Sequence, residues 1–228
     1  MNDLEPFAVT ARVALAATVL VVTAGLPLAR ALSLLGRRSA GARRAVAALE
    51  TLFLLPLVLP PSTLGYFLLV ALGRRSPLGA LADSLGVPLV FSVTGAVIAA
   101  SFASFPLFFE PVKGAFDAID PAVENAARLL GAGEGFVFAR IALPLASRGV
   151  VAGLVLAFAR AVGDFGTTLM VAGSIPGRTR TVSLAIYEAV QAGEGRRALF
   201  LSISIAVFSL AALAGVRLAR ERRALLPA

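Results

Sequence analysis

Residues 84–109 read SLGVPLVFSVTGAVIAASFASFPLFF and carry no charged side chain. About 20 residues of helix cross the hydrocarbon core of a bilayer, and an unpaired charge inside that core is costly. This stretch is therefore long enough to span a membrane. Comparable stretches are residues 13–29, 51–73 and 198–216, and also 149–175, which is apolar except for Arg160 and Asp164. The sequence thus predicts an all-α membrane protein with five transmembrane helices.

Composition agrees with this fold class. Hydrophobic residues make up 58% of the 228-residue chain, and the mean hydropathy is +0.89. The 21 basic and 13 acidic residues give a net charge of +8. Because these charges lie between apolar runs, we expect a polytopic protein in a lipid bilayer rather than a soluble or nucleic-acid-binding protein.

The residue types that are missing exclude several chemistries. The chain has no Cys and no His, so disulfides, thiolate clusters and histidine-held zinc or haem are excluded. Lys113 is the only lysine, and its neighbours do not form a phosphate-binding loop. We therefore expect no catalytic residue, cofactor or metal site in this chain. If ATP and Mg²⁺ drive the protein, a partner chain must bind them.

The basic residues predict the orientation, because short loops rich in Lys and Arg remain in the cytoplasm. The loops after spans one and three and the C-terminal tail carry 13 basic residues, and the opposite loops carry six. The prediction is an external N-terminus and a cytoplasmic C-terminus in the cytoplasmic (inner) membrane of a prokaryote. The N-terminal residues include Asp3 and Glu5 and do not resemble the basic start of a signal peptide.

The sequence shows no internal repeat, so we treat residues 1–228 as a single transmembrane domain. A transporter that builds its pathway from inverted repeats is disfavoured. Five helices alone can hardly enclose a pore. We therefore expect a homodimer with the pathway along its two-fold axis.

Residues 111–148 form a polar segment that we place in the cytoplasm. Asp120 and Pro121 are typical of a helix start, and a helix is predicted over residues 122–130 with Glu124 and Arg128 paired one turn apart. Glycines at 131, 133 and 135 are expected to break it. A second apolar stretch, 136–143, is expected to stop at Pro144. The small residues Ala122, Ala126 and Ala127 share one face. On these features alone, the segment is either a partner-binding element or an ordinary amphipathic loop on the membrane surface.

Residues 124–144, ENAARLLGAGEGFVFARIALP, resemble the signature of ABC importer permeases: E-A-A, three residues, G, nine residues, I-x-L-P. The spacing is intact, and Asn125 departs from the pattern at the first Ala. The resemblance implies that this is the coupling helix, which docks on a separate cytoplasmic ATPase subunit. The coupling residues that it implies are Glu124, Ala126, Ala127, Gly131, Ile141, Leu143 and Pro144.

Two further segments resemble the molybdate importer permeases. They are the proline-rich residues 52–73 and the residues 163–187, GDFGTTLMVAGSIPGRTRTVSLAIY, in which Asp164 replaces the usual Glu and Ser174 the usual Asn. The resemblance implies import of molybdate, with an extracytoplasmic oxyanion-binding protein as a third partner. Sulfate and tungstate permeases are close relatives, and no residue settles the anion.

Several residues inside the spans are pathway or gate candidates. Pro56, Pro60 and Pro61 each remove a helix donor, and the carbonyls that this frees at membrane depth must face protein or a water-filled cavity. Pro60 and Pro61 therefore face a pathway or a neighbouring helix, or they form a plain packing kink. Asp164 is the only acid within a predicted span, and Arg160 lies one turn before it. This pair is either a neutralised structural pair or part of a flexible gate. The gate candidates that complete this set are Gly163, Gly166 and Thr167.

Arg178 and Arg180, after Pro176 and Gly177, are either charges that steer an anion or a docked protein, or ordinary solvated loop charges.

Two alternatives to the importer interpretation remain. An ion-coupled secondary transporter would need several intramembrane acids or a ring of charges, and this chain offers one acid. A membrane scaffold without transport is the other alternative.

Overall fold

The computed structural model describes the backbone of residues 4–224 and the side chains of residues 4–211. Within that part of the chain every regular element is helical, as the sequence predicts. The helices are α1 (Glu5–Gly36), α2 (Ala40–Val58), α3 (Pro61–Leu72), α4 (Pro77–Ser84), α5 (Val93–Asp117), α6 (Pro121–Leu129), α7 (Glu134–Phe136), α8 (Leu143–Val162), α9 (Gly166–Ala172), α10 (Val182–Gln191) and α11 (Gly195–Ala224). A π-helical turn, Val137–Ala142, joins α7 to α8.

Three stretches of the described chain are helical, long and apolar enough to cross a membrane: Glu5–Gly36, Val93–Asp117 and Glu134–Val162. Helices α2 and α3 make a fourth span if they are counted together across the break at residues 59 and 60. The predicted span 198–216 falls on α11, whose side chains are described only to residue 211. The membrane-spanning character is therefore confirmed, and the count of five stays a prediction.

Three boundaries differ from the sequence prediction. Residues 149–175 are not one helix, because α8 ends at Val162 and α9 begins at Gly166. In the stretch 84–109, continuous helix starts only at Val93, whereas α5 continues to Asp117 into the segment predicted to be polar loop. Hydropathy reports side-chain polarity, so it does not detect where an apolar backbone turns.

Prolines set the break between α2 and α3. Pro60 is the N-cap of α3 and Pro61 is its first residue, where the missing N–H would have no helical partner anyway. These two prolines therefore begin a helix and do not remove donors from the middle of one, in contrast to the sequence expectation. Pro56, by contrast, lies inside α2.

The chain divides into two compact units, and residues 18–59 and 104–157 form one of them. The core of this unit is built on Phe108, Phe109 and Phe116, all with 0% exposure. The ring of Phe53 meets the rings of Phe105 and Phe109 edge-on, with centroids 5.3 and 5.2 Å apart. Aromatic packing of this kind orders the helices that carry it.

Two glycines bring α8 against α5 within this unit. A Cβ atom added at Gly149 would lie 2.5 Å from the Pro111 carbonyl oxygen, and one added at Gly153 would lie 2.7 Å from the Phe108 carbonyl oxygen. Their spacing is the small-x-x-x-small pattern that lets membrane helices approach closely. This pair was not predicted from the sequence.

The other unit contains the residues up to 17, Pro60–Ala103, and the residues from Phe158 onward. Small side chains dominate its core, with Ala14, Ala96 and Ala100 all at 0% exposure. A Cβ atom added at Gly65 on α3 would lie 2.7 Å from the Met170 Cβ on α9. Close packing of α3 and α9 therefore depends on this glycine.

Candidate functional sites

The signature segment folds as a capped helix. Asp120 is the N-cap of α6, and its Oδ1 accepts a hydrogen bond of 2.8 Å from the Ala122 backbone N–H. The helix runs from Pro121 to Leu129, within one residue of the predicted bounds. Gly131 follows it with φ +87, a conformation that strongly favours glycine.

Two local predictions in this segment are wrong. Gly135 does not break the helix, because it lies inside the helical turn α7. Pro144 does not stop a helix either, since it lies in the first turn of α8. The π-helical turn explains this: the Leu143 N–H bonds to the Phe138 carbonyl, five residues back. The wider turn loosens the usual ladder just before a proline that would disrupt a regular α-helix.

Glu124 is buried and anchored to α1. Its two carboxylate oxygens accept hydrogen bonds of 2.9 and 3.0 Å from the two terminal nitrogens of Arg30. The exposed fractions of the two side chains are 8% for Arg30 and 1% for Glu124. The predicted partner Arg128 is also present, with its Nη2 3.4 Å from Glu124 Oε2, and it bonds more closely to Glu134 at 2.6 Å.

The surroundings of Glu124 act on its ionisation in opposite directions. Burial alone would raise the pKa of Glu124, but the hydrogen bonds and charge of Arg30, with smaller contributions from Arg37 and Arg128, outweigh burial and lower that pKa. A bidentate Arg–carboxylate pair has a fixed geometry. Glu124 therefore stays ionised and holds α6 on α1.

Arg37, the residue directly after α1, makes a second attachment. Its Nη2 donates to the carbonyl oxygens of Phe116 in the last turn of α5, at 2.7 Å, and of Ile119 just before α6, at 3.0 Å. Sequence reasoning found neither arginine, because 94 residues separate Arg30 from Glu124. The available signal was a charged residue directly at the end of an apolar span, which usually has a partner.

The opposite face of the segment is uncovered. Leu129 and Leu130 are each 89% exposed, and Val123 and Phe136 are 47% and 57% exposed. Of the predicted coupling residues, Ala126 is exposed with them, Gly131 has open space around it, and Ala127 is half-buried. Ile141 and Leu143 are half-buried and Pro144 is exposed. The segment thus presents an apolar surface of Val123, Ala126, Leu129, Leu130 and Phe136, hereafter the α6 surface.

The pathway candidates meet at the break between α8 and α9. Asp164 is 1% exposed, and its Oδ1 accepts a 2.9 Å hydrogen bond from Arg160 Nη1. Its Oδ2 accepts hydrogen bonds from the Thr168 N–H at 2.9 Å and the Thr168 hydroxyl at 2.6 Å. Asp164 therefore neutralises Arg160 and also satisfies donors at the start of α9.

The same break lies against the start of α3. The Thr167 hydroxyl donates to the Pro61 carbonyl at 3.4 Å, and a Cβ atom added at Gly166 would lie 3.0 Å from the Pro61 Cβ. The structure thus brings Pro61, Gly166 and Thr167 together. Pro60 directly precedes Pro61, and Gly163 directly precedes Asp164 at the break. The loop charges lie elsewhere: Arg178 is exposed, whereas Arg180 lies 2.9 Å from Glu188.

Comparisons with known proteins place this geometry in context. Residues 25–223 match the family described as binding-protein-dependent transport system inner membrane component. The chain is 45% identical over 180 residues to the molybdenum transport system permease protein ModB of Escherichia coli (strain K12), covering 78% of this chain and 79% of that protein. It is 38% identical over 224 residues to ModB of Azotobacter vinelandii, covering 98% and 96%. It is 43% identical over 163 residues to a putative molybdenum transport system permease protein of Bacillus subtilis (strain 168), covering 71% and 72%.

Proposed function

Because the chain belongs to the family of inner membrane components of binding-protein-dependent transport systems, we propose that it is the permease subunit of an ABC importer for molybdate. The substrate is supported by the relatives named as molybdenum transport permeases, one of which aligns with 98% of this chain. The chain is a transporter component and not an enzyme. ATP and Mg²⁺ are bound by a partner ATPase, and this chain holds no cofactor.

The α6 surface is the observation that carries the coupling role. An apolar helix face with two leucines at 89% exposure is costly in water unless a partner covers it. It lies on the segment that matches the importer signature, beside the fixed Arg30–Glu124 pair. The partner is a cytoplasmic ATPase subunit that receives this surface in a groove, so residues 111–148 act as the coupling segment.

Movement reaches the membrane through α1. When ATP draws two ATPase subunits together, each α6 moves with its subunit. Because Arg30 and Arg37 tie α6 and the chain before it to α1, the displacement passes to a membrane helix as a rigid-body movement. Shifting the equilibrium between the closed and the outward-open conformation from 1:99 to 99:1 requires about 5.5 kcal/mol. ATP and the extracytoplasmic binding protein supply this free energy together.

The assembly contains two copies of this chain, with the pathway along their two-fold axis. The topology is five spans with the N-terminus outside and the C-terminus in the cytoplasm, so α6 and the ATPase share one side. The break at Asp164 lies near the gate. There Arg160 offsets the carboxylate charge that would otherwise repel an oxyanion, and the permease itself keeps only a weak anion site.

The coupling surface is tested by co-purification with the ATPase. The double variant Leu129→Ser/Leu130→Ser removes two side chains that each contribute about 1.5–3 kcal/mol when fully buried, so the complex should be at least about tenfold weaker. The matched control is Leu78→Ser/Leu81→Ser, which alters two other exposed leucines, 62% and 60% exposed, on α4. Equal ATPase recovery with both variants would contradict the docking role.

The substrate is tested separately. Uptake of molybdate by the reconstituted importer should be inhibited by unlabelled molybdate at lower concentration than by sulfate. Stronger inhibition by sulfate than by molybdate would overturn the substrate assignment and leave the coupling role intact. Tungstate, with a closely similar size and charge, serves as the positive control for competition by an oxyanion.

A further inference from the structure

A groove of about 710 Å³ opens at the end of α3. One wall consists of the last residues of α3, among them Leu69, Val70 and Leu72. The other wall is the segment before α5, with Leu89, Val90 and Phe91, and Gly79 of α4 lies at its base. All of these residues belong to one compact unit. The groove has no role in the proposed coupling or gating.

The α4 side of the groove is held by a tight turn. The Ser76 hydroxyl donates to the Ala71 carbonyl at 2.6 Å and accepts from the Gly79 N–H at 2.9 Å. A Cβ atom added at Gly79 would collide with the Gly73 carbonyl. Glycine is therefore required for α4 to fold back onto the end of α3.

The opposite wall is equally fixed. Phe91 has φ 54, the one positive φ at a non-glycine residue in the described chain, and its N–H donates to the Val171 carbonyl at 2.9 Å. A Cβ atom added at Gly95 would collide with the Leu89 carbonyl. Because both walls are held by backbone contacts, the groove is preformed and does not need a ligand to open it.

Helix α4 carries exposed leucines beside the groove. Leu78 and Leu81 on α4 are 62% and 60% exposed, and Leu85, directly after the helix, is 72% exposed. The spacing of the three leucines continues one helical face. They adjoin the point where the apolar α3 gives way to Arg74 and Arg75. Such a change from apolar to basic residues is typical of the membrane interface, where a short amphipathic helix lies along the surface.

The mouth of the groove carries more positive than negative charge. Arg74 pairs with Asp83, with Arg74 Nη2 3.2 Å from Asp83 Oδ1. Asp83 is the only acidic residue among the lining residues. Arg75 is exposed and forms no ion pair with any residue of the described chain. One positive charge therefore remains at the mouth of an apolar groove.

We propose that this groove binds an anionic phospholipid of the surrounding membrane. An acyl chain fills the apolar groove, and the headgroup phosphate lies on Arg75, where a guanidinium can donate two hydrogen bonds to phosphate oxygens. A lipid matches both features at once, an apolar chain and a negative head, whereas a free phosphate matches only the second. The inference requires only that the chain lies in a membrane, so failure of the molybdate assignment would leave it standing.

The test is native mass spectrometry of the purified full-length protein in detergent, with phosphatidylglycerol or phosphatidylcholine of equal chain length added. The protein should retain phosphatidylglycerol preferentially, and Arg75→Gln should reduce that preference about fivefold, since a basic residue near a membrane surface contributes on that order. The matched control Arg178→Gln, which removes another exposed arginine that forms no ion pair within the described chain, should leave the preference unchanged. Equal loss in both variants would overturn the proposal.

A second variant tests the acyl chain. Val90→Trp fills the groove without changing charge, and retention of phosphatidylglycerol should fall at least about threefold relative to Val87→Trp, which alters an exposed residue of the same segment outside the groove. Unchanged retention with Val90→Trp, or displacement of the lipid by inorganic phosphate, would overturn the proposal. The proposal would also be overturned if Val90→Trp left the number of bound lipids unchanged but altered the monomer-to-dimer ratio or removed a soluble protein partner. The groove would then be covered by a second copy of the chain or by that partner, and not by a lipid.

Discussion

Arg30 and Glu124 form the buried contact that holds α6 on α1. Removing one partner of a buried ion pair leaves an uncompensated charge and costs about 3–5 kcal/mol. We therefore expect Arg30→Gln to destabilise the attachment of α6, so that ATP hydrolysis by the assembled importer continues while uptake falls at least about tenfold. Arg38→Gln, which changes an exposed arginine eight residues further along, is the control.

A double-mutant cycle measures the interaction between Arg30 and Glu124 separately from the effect of losing either side chain alone. Arg30→Met/Glu124→Met removes both charges, so its loss of thermal stability should be smaller than the sum of the two single losses. If the single losses add, the two side chains do not interact and the link from α6 to α1 is wrong.

Acid should weaken the same contact. The pKa of Glu124 is lowered from its ordinary value of 4.5 in the folded chain, so its ionised form stabilises the fold above pH 4.5. That contribution is lost as pH falls through the lowered folded pKa. In thermal unfolding between pH 6 and pH 3, the wild type should lose more stability than Glu124→Gln. Parallel curves would contradict the assignment.

Single residues were predictable where a motif or a local rule applied. The signature located Glu124, and the helix-start rule located Asp120 and Pro121. Arg30 was not predictable, because an ion pair between residues 94 positions apart depends on tertiary structure. The resemblance also gave no indication that Glu124 is buried, since a motif does not report which side of a helix faces the protein.

Among the elements, the break between α8 and α9 makes the clearest prediction for transport. Asp164→Asn keeps an oxygen for Thr168 but leaves Arg160 without its carboxylate. The unmasked positive charge should then hold an oxyanion and slow its release, lowering uptake several-fold. Arg160→Gln/Asp164→Asn should recover part of the loss. Normal uptake by Asp164→Asn would remove Asp164 from the gate.

The contact between α5 and α8 makes a prediction for folding. Gly153→Leu would place a side chain against the Phe108 backbone, and overpacking costs about 1–3 kcal/mol or more. We expect a lower unfolding temperature in detergent. The control Gly114→Ala, where an added Cβ meets no atom within 4 Å, should be neutral or stabilising. Equal effects would show that α8 does not pack on α5 through this glycine.

The elements were predicted better by type than by boundary. The bounds of α6 followed from Asp120, Pro121 and Gly131, because each acts on the backbone locally: Asp120 caps the first turn with its side chain, and Pro121 and Gly131 act through their own backbone conformation. Pro144 misled the prediction because a π-helical turn accommodates it. The interruption at Asp164 was not predicted, because a buried carboxylate can end one helix and cap the next within an apolar stretch.

For the whole molecule, the apolar exterior has more than one use. Most exposed leucines, valines and phenylalanines suit a lipid environment, whereas four of the five residues of the α6 surface lie between α5 and the span that begins at Glu134. Composition alone predicted a membrane protein, because 58% hydrophobic residues exceed what a soluble surface accommodates. It could not show how α1 serves the coupling segment, since that depends on which helices pack together.

The central claim is that this chain has no energy source of its own and receives work through the α6 surface. The direct measurement is molybdate uptake into proteoliposomes that contain the purified chain and the binding protein, with and without the ATPase. We predict uptake only when the ATPase and ATP are both present, and its loss in Leu129→Ser/Leu130→Ser. Uptake driven by a proton or sodium gradient in the absence of the ATPase would contradict the account.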